Sequence, residues 1–403
     1  MAEKIKERIK GKQWLILGSL WAAYLLSFVA RLVWPSIMPV ADDALGFSVT
    51  QGTSYITAFY IGYAITALPG GILSDRIGYR KMVLISMAGI AAGTALTGTI
   101  GSYELGFVYR FLLGIFSGPL NACCLSAIAD VFSERQRGFA TGILMTSTSL
   151  GITVVNSYAP TLAESFGWQS ALFATAVIPL AVLVLCFFSL KGNVSGAAKE
   201  SGKAGQQMSI AESLKAIVTS KNVIIASLVG MFATGATWGV TNWANLFMTE
   251  SVGVSVVTAG RIAAIYGAAA FISKPVIGII SDKVHIKKNV LAAICLFLFA
   301  PALIAFALTT TEQMLYVTGI ILGVSAFMYS VLTNALAVAV APAGCRGTSA
   351  GFVNLFNQIG SLSAPMVLGG VLTATGSYQA AMMSIAVLPL AAGILLLFMK
   401  LEK

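Results

Sequence analysis

The stretch GILSDRIGYRK, Gly71–Lys81, returns as GIISDKVHIKK, Gly278–Lys288, 207 residues further along the chain. Only 10% of the 403 residues are charged, whereas a soluble globular domain carries about 25%. A chain this poor in charge that writes one charged phrase twice, half its length apart, reads as a duplicated membrane protein. The composition agrees: 57% of the residues are hydrophobic and the mean hydropathy is +0.87. Too few polar residues remain to cover the surface of the two or three soluble domains that the length alone would suggest.

Working outward from the doubled phrase, apolar runs long enough to cross a bilayer as helices, about 20 residues each, fall near 14–39, 52–74, 82–101, 105–128, 139–161, 169–190, 223–248, 254–280, 289–308, 313–340, 347–371 and 377–399. The expected fold class is therefore an all-α membrane protein with twelve transmembrane helices. With the N-terminus inside, 21 of the 25 Lys and Arg residues fall on inner segments. The other four, Arg31, Arg110, Arg261 and Lys274, fall within spans. The outer loops hold Asp42, Asp43, Glu164, Glu250 and Glu312 and no basic residue. Positive residues concentrate on cytoplasmic loops, so both termini are expected in the cytoplasm.

The net charge of +10 is spread over short loops rather than pooled in one patch, which argues against a nucleic-acid partner. Five cysteines, Cys123, Cys124, Cys186, Cys295 and Cys345, lack ligand spacing, so neither a metal site nor a disulfide framework is expected. The first apolar run is too long for a signal peptide and lacks a small-residue cleavage site. The polar, Gly/Ser/Lys-rich segment 191–221 reads as a flexible cytoplasmic linker. It separates an N-terminal six-helix bundle, 1–190, from a C-terminal one, 222–403.

The two halves match at a second place. RGFATG, Arg137–Gly142, pairs with RGTSAG, Arg346–Gly351, at an offset of 209, which also brings Gly151 onto Gly360. Two anchors between corresponding helices indicate parallel six-helix repeats. Transporters so built hold their substrate near the midplane at the repeat interface.

These residues carry a resemblance. GILSDRIGYRK is similar to the G-x-L-x-D-R-x-G-x-R/K-R/K signature of the major facilitator superfamily, in the loop after its second helix, and RFLLG, Arg110–Gly114, resembles its fourth-helix Arg motif. The second copy departs by carrying His285 where a glycine is expected. The resemblance implies the major facilitator fold and a monomeric secondary transporter in the lipid bilayer of a cell membrane, here a bacterial inner membrane, with no cofactor and no enzymatic activity. It also implies a gating role for Gly71, Asp75, Arg76, Gly78, Arg80, Lys81 and Asp130, echoed by Asp282 and Lys283. The glycines permit a tight turn and close helix approach. Asp75 can accept bonds from a helix N-terminus and the basic residues can pair with Asp130, latching the cytoplasmic side in the outward-open state.

An ionisable residue at membrane depth is a functional hypothesis by default. At 1.5 Å per residue, Lys274 lies roughly 12 Å in from the inner surface and Arg31 roughly 16 Å in from the outer one, both near the middle of a ~30 Å core. Arg110 lies roughly 9 Å deep, and Arg261 at the outer interface. The fifteen acidic residues fall at helix ends, in loops or in tails, so no buried acid is expected to titrate. A cation in a low-dielectric cavity is costly, and an anionic substrate relieves that cost. Arg31 and Lys274 are the leading substrate contacts. Arg110 is a further candidate for which a structural role weighs more. Tyr60, Tyr63, Asn121, Tyr158, Trp238, Asn242, Tyr329, Asn334 and Asn357 are polar or aromatic candidates able to hold a carboxylate or hydroxyl, or else to serve as ordinary helix–helix contacts.

ISKPVIGIISD, Ile272–Asp282, looks like the eighth-helix segment of oxalate–formate exchangers, in which an Arg at the Lys274 position contacts the carboxylate. Monocarboxylate porters likewise combine a first-helix with an eighth-helix cation. Those exchangers also have an eleventh-helix Lys, where this chain offers Asn354, Asn357 and Gln358, so a monocarboxylate and a dicarboxylate stand level. FVARLVWPSIMP resembles the first helix of anion:cation symporters, with Ala30 in place of their acid. The expectation is a transporter of a small organic anion working by alternating access, by anion exchange or substrate–proton symport. The alternative is a proton-coupled transporter of a drug or neutral sugar-like metabolite, which predicts a membrane-embedded acid. A membrane enzyme predicts a clustered nucleophile and base or a metal site, and a transporter-like sensor an added signalling domain; neither feature is in the sequence.

Overall fold

The computed structural model describes residues 12–190, 210–284, 286–342 and 346–399. The described residues form helices only: α1 Gln13–Leu45, α2 Val49–Ile77, α3 Tyr79–Thr97, α4 Tyr103–Ser117, α5 Leu120–Val131, α6 Glu134–Phe166, α7 Trp168–Ser189, α8 Ile210–Thr219, α9 Lys221–Val252, α10 Val256–Lys283, α11 Lys288–Ala307, α12 Glu312–Ala339, α13 Arg346–Thr375, α14 Tyr378–Ser384 and α15 Val387–Leu397. The expected spans fall on these helices in order, with α4–α5 and α14–α15 each forming one broken span. Ten of the resulting segments are long and apolar enough to cross a membrane. Of the other two, α3 is diluted by Arg80 and Lys81 at its start, and α2 includes side chains that lie outside the described residues. Segment 191–209, His285 and Cys345 lie outside the described residues, as do the side chains of Asp75, Arg76, Asp282 and Arg346. The later part of the expected linker is helical, as α8. Cys123, Cys124, Cys186 and Cys295 are buried and outside any disulfide among the described residues.

The chain divides into two compact units: Met1–Ala41 with Ala58–Gly205, and Asp42–Thr57 with Gln206–Lys403. In the first, α2 and α4 meet backbone to backbone. A Cβ on Gly114 would strike the carbonyl oxygen of Phe59, and one on Gly62 that of Phe111. In the second, a Cβ on Gly323 would strike the carbonyl of Tyr266, between α10 and α12. Gly323 is Gly114 advanced by 209 residues, and Tyr266 is Phe59 advanced by 207, the two offsets read from the sequence. The Gly151–Gly360 match recurs in the same way. Gly151 of α6 lies against Phe28 of α1, and Gly360 of α13 lies against the Met231 carbonyl of α9. Small residues let membrane helices approach closely where no hydrophobic force drives them together. The duplication is therefore visible as one packing contact made twice.

Prolines set the local detail. Within an α-helix a proline leaves the carbonyl four residues earlier without its donor, and a membrane interior demands that this acceptor be satisfied. Pro119 separates α4 from α5 and frees the carbonyl of Ile115. The hydroxyl of Thr66 on α2 donates to it at 2.9 Å. The broken span 105–128 is thus held by its neighbour.

The end of α1 departs from expectation. The sequence places Asp42 and Asp43 in an outer loop, but α1 runs on to Leu45 because no breaker intervenes between Pro39 and Gly46. Gly46, at φ 66°, then ends the helix in the left-handed conformation that glycine adopts readily. Asp43 is exposed, whereas Asp42 is buried. The expectation that no acid is buried therefore fails at this residue. Glu164 and Glu250 likewise ride on the last turns of α6 and α9 rather than in loops.

Candidate functional site

In the first unit Arg31 is a buried cation, only 5% exposed. Its Nη2 donates to the Tyr60 hydroxyl. The guanidinium carbon lies 4.3 Å from the centre of the Tyr60 ring, 5.3 Å from Phe28, 5.7 Å from Phe59 and 5.9 Å from Tyr63. Phe59, Tyr60 and Tyr63 come from one turn of α2, and Phe28 from the turn of α1 before Arg31. Aromatic faces carry negative potential and attract a cation, so the rings hold the guanidinium where a bare apolar wall would expel its charge.

Arg110 stands behind it, fully buried. It donates to the carbonyl of Arg31 at 3.1 Å and to that of Ala30 at 3.4 Å, with Phe59 5.4 Å from its guanidinium carbon. The cause is in the sequence: Pro35 deprives the Arg31 carbonyl of its helical donor. These two hydrogen bonds of Arg110 thus go to main chain that positions Arg31. Asn121, on α5, is half-buried, and its Oδ1 has no hydrogen-bond partner among the described residues. Tyr158 hydrogen-bonds Thr175, tying α6 to α7.

In the second unit the Nζ of Lys274 on α10 sits 5.2 Å from the centre of the Phe327 ring of α12. Trp238 of α9 meets the same ring edge-on at 6.3 Å, and Tyr266 of α10 meets it at 5.8 Å. The Thr237 hydroxyl donates to the Ala326 carbonyl at 2.9 Å and pairs with the Tyr329 hydroxyl at 2.7 Å; Tyr329 in turn stacks on Phe299. Tyr266 pairs with Thr241 at 3.0 Å. Three helices thus converge on one ring that faces one ammonium.

Of the remaining candidates, Asn242 is buried on α9. Asn357 of α13, with its amide nitrogen turned toward α9, donates to the carbonyls of Val353 and Gly230 at 3.3 Å. Asn334 is exposed on α12 and joins no described cluster. Phe28, Phe59, Phe327 and Tyr266 escaped the sequence reading. The four-residue spacing from Phe59 to Tyr63 and the offset of 207 from Phe59 to Tyr266 are the signals that would have raised two of them.

On the inner side, Gly78 turns α2 into α3 at φ 91°, a conformation that a side chain would strain. Arg80 donates to the Phe187 carbonyl at 3.0 Å and lies over the Phe187 ring at 5.0 Å. Lys81 and Lys283 are exposed, and Asp130 is half-buried near the end of α5. On the neighbouring α6, Arg137 donates to the carbonyls of Ala129 and Phe132 at 2.6 and 3.1 Å.

The sequence profile of the Major Facilitator Superfamily matches residues 20–365. The chain belongs to this superfamily. As a member of the Major Facilitator Superfamily it is a multi-pass membrane protein of a transporter family, with the twelve-helix fold of two six-helix repeats. It is 23% identical over 390 residues to the "Probable sulfoacetate transporter" of Cupriavidus necator, covering 93% of this chain and 90% of that one. It is 24% identical over 411 residues to the "Probable galactarate/D-glucarate transporter" of Bacillus subtilis, covering 94% and 90%. The crystal structure of a bacterial homolog to the human lysosomal transporter Spinster, inward-facing and occupied, superposes with a TM-score of 0.78 at 16% identity, covering 96% and 97%. That likeness concerns the fold.

Proposed function

We propose that this protein is a secondary active transporter of a small organic anion, a mono- or dicarboxylate, and that Arg31 and Lys274 recognise the anion's charge. The observation that carries this reading is that a cation lies against aromatic rings in each unit, buried Arg31 in the first and half-buried Lys274 in the second. Such rings stabilise the cation without neutralising it, which leaves positive charge for a ligand. The relatives support the class: sulfoacetate, galactarate and D-glucarate, the substrates in their names, are all organic anions. A guanidinium offers a fork that matches a carboxylate, and an ammonium acts as a point charge, so either can recognise an anionic group.

In this reading the bundles 1–190 and 222–403, joined by segment 191–221, alternate access to the substrate. Gly71, Asp75, Arg76, Gly78, Arg80, Lys81 and Asp130, with Asp282 and Lys283, govern the cytoplasmic side. Both termini face the cytoplasm, and the protein works as a monomer in a bacterial inner membrane. Cycling proceeds by exchange of anions or by symport with a proton.

Uptake of labelled D-glucarate and sulfoacetate into proteoliposomes tests the reading, alongside a thermal-shift screen of small mono- and dicarboxylates. Stabilisation and uptake by at least one carboxylate, both lost in Lys274→Gln, are expected. Carboxylate uptake unchanged in Lys274→Gln, or stabilisation only by a neutral sugar or a cation, overturns it.

A further inference from the structure

Asp42 lies beyond the apolar stretch 14–39, on the last turns of α1, at the end opposite the Lys- and Arg-rich loops. Its side chain is 6% exposed, and neither carboxylate oxygen has a hydrogen-bond partner among the described residues. The carboxylate rests on Gly52 in the first turns of α2, where a Cβ would overlap it. Two titratable groups face it from other helices of the same unit. Glu250, exposed near the end of α9, is close enough for its charge to bear on Asp42, and Tyr378 opens α14. Asp43, next on its own helix, is exposed.

An ionised carboxylate so placed is opposed twice. It has left water without gaining a donor, and Glu250 repels it. A proton removes both penalties, whereas contact with outer water would restore the ionised form. Glycine at position 52 is what lets the carboxyl group lie flat against the helix instead of being pushed out to solvent.

We propose that Asp42 is a proton-binding site on the outer side of the membrane, and that uptake of a proton from that side is the condition for burying this end of α1. Acid favours the buried arrangement, and rising pH exposes segment 42–57. The site is separate from the anion-recognising cations, and its readouts need no substrate, so failure of the anion reading leaves it intact.

The test is infrared difference spectroscopy of the full chain in lipid, titrated from acid to alkali. A carbonyl band of a protonated carboxyl without hydrogen bonds is expected. It should vanish in Asp42→Asn, persist in Asp43→Asn, and lose its proton at lower pH in Glu250→Gln, where the repelling charge is gone. Hydrogen–deuterium exchange of segment 42–57, corrected for the intrinsic pH dependence of exchange, gives a second readout. Wild-type protection should fall by up to about tenfold per pH unit from the pH at which the exposed carboxyl titrates up to that at which the buried one does, the slope of one linked proton, and level off above it. Asn copies the neutral carboxyl, so Asp42→Asn should stay protected throughout. A band that survives in Asp42→Asn, a midpoint unmoved in Glu250→Gln, or pH-dependent exchange that is the same in Asp42→Asn as in wild type overturns the proposal. If Asp42→Asn does not fold, the Glu250→Gln midpoint decides alone.

Discussion

Arg110 donates to the main-chain carbonyl of Arg31 at 3.1 Å, the acceptor that Pro35 leaves without its helical partner. A buried arginine on α4 thus completes the hydrogen bonding of α1 at the residue whose own guanidinium is the first unit's candidate ligand for the substrate. Structure and recognition meet at one residue, which makes the two roles separable by mutation.

Replacing Arg110 by Ala should destabilise the protein by about 2–4 kcal/mol, because charged hydrogen bonds to two buried carbonyls are lost. Lys in its place should recover only part of that, since it lacks the planar fork. Pro35→Ala supplies the missing N–H, so the double variant Pro35→Ala/Arg110→Ala should lose less than the sum of the single effects. A double-mutant cycle on unfolding free energy measures the coupling; strict additivity would contradict the link.

Removing the Tyr60 hydroxyl as Tyr60→Phe keeps the ring beside Arg31 and deletes its hydrogen bond. Stability should change by about 1 kcal/mol, while the KM for anion uptake shifts and the expression level does not. Proteoliposome kinetics beside thermal unfolding separate the two effects.

Replacing Phe327 by Leu takes the aromatic face from Lys274 while keeping apolar volume. A cation–π contact is worth about 0.5–2 kcal/mol, so anion affinity should change by roughly two- to thirtyfold. A variant with unchanged affinity for every carboxylate that stabilises the wild type would show that the ring merely packs.

The glycines of the repeated contact should behave alike. Gly114→Ala and Gly323→Ala each force a methyl into a backbone carbonyl and should cost about 1–3 kcal/mol. Gly351→Ala and Gly370→Ala, whose added methyl groups meet nothing within 4 Å, should leave the melting temperature near wild type. Thermal unfolding in detergent compares the four.

Much of the architecture is legible in the sequence. Low charge, apolar length and the placement of Lys and Arg are one-dimensional signals of a bilayer, because the solvent itself imposes them. The doubled phrase at Gly71 and Gly278 marked the repeat, and the offsets 207 and 209 reappear as the Phe59–Gly114 and Tyr266–Gly323 contacts. The depth of Arg31 and Lys274 followed from counting residues along a helix of known rise.

What surrounds those cations did not follow from counting. That Phe28, Phe59, Tyr60 and Tyr63 enclose Arg31, and that Phe327 faces Lys274, depends on the rotation of each helix about its axis. In a helix apolar nearly all round, no amphipathic stripe announces that rotation. That Arg110 serves as a main-chain donor depends on α4 lying beside the Arg31 carbonyl that Pro35 orphans, and the exposure of Asn334 depends on the rotation of α12. Asp42 is the sharpest case. The sequence marks it as an acid past the end of an apolar run, which reads as loop. Only the continued helix and the bare surface of Gly52 give it its buried place. Composition and spacing determined that this chain crosses a membrane twelve times as two copies of one bundle, because the bilayer acts on every residue alike. Which side chains meet was decided by tertiary packing, because contacts between helices depend on facing directions that a linear pattern does not encode.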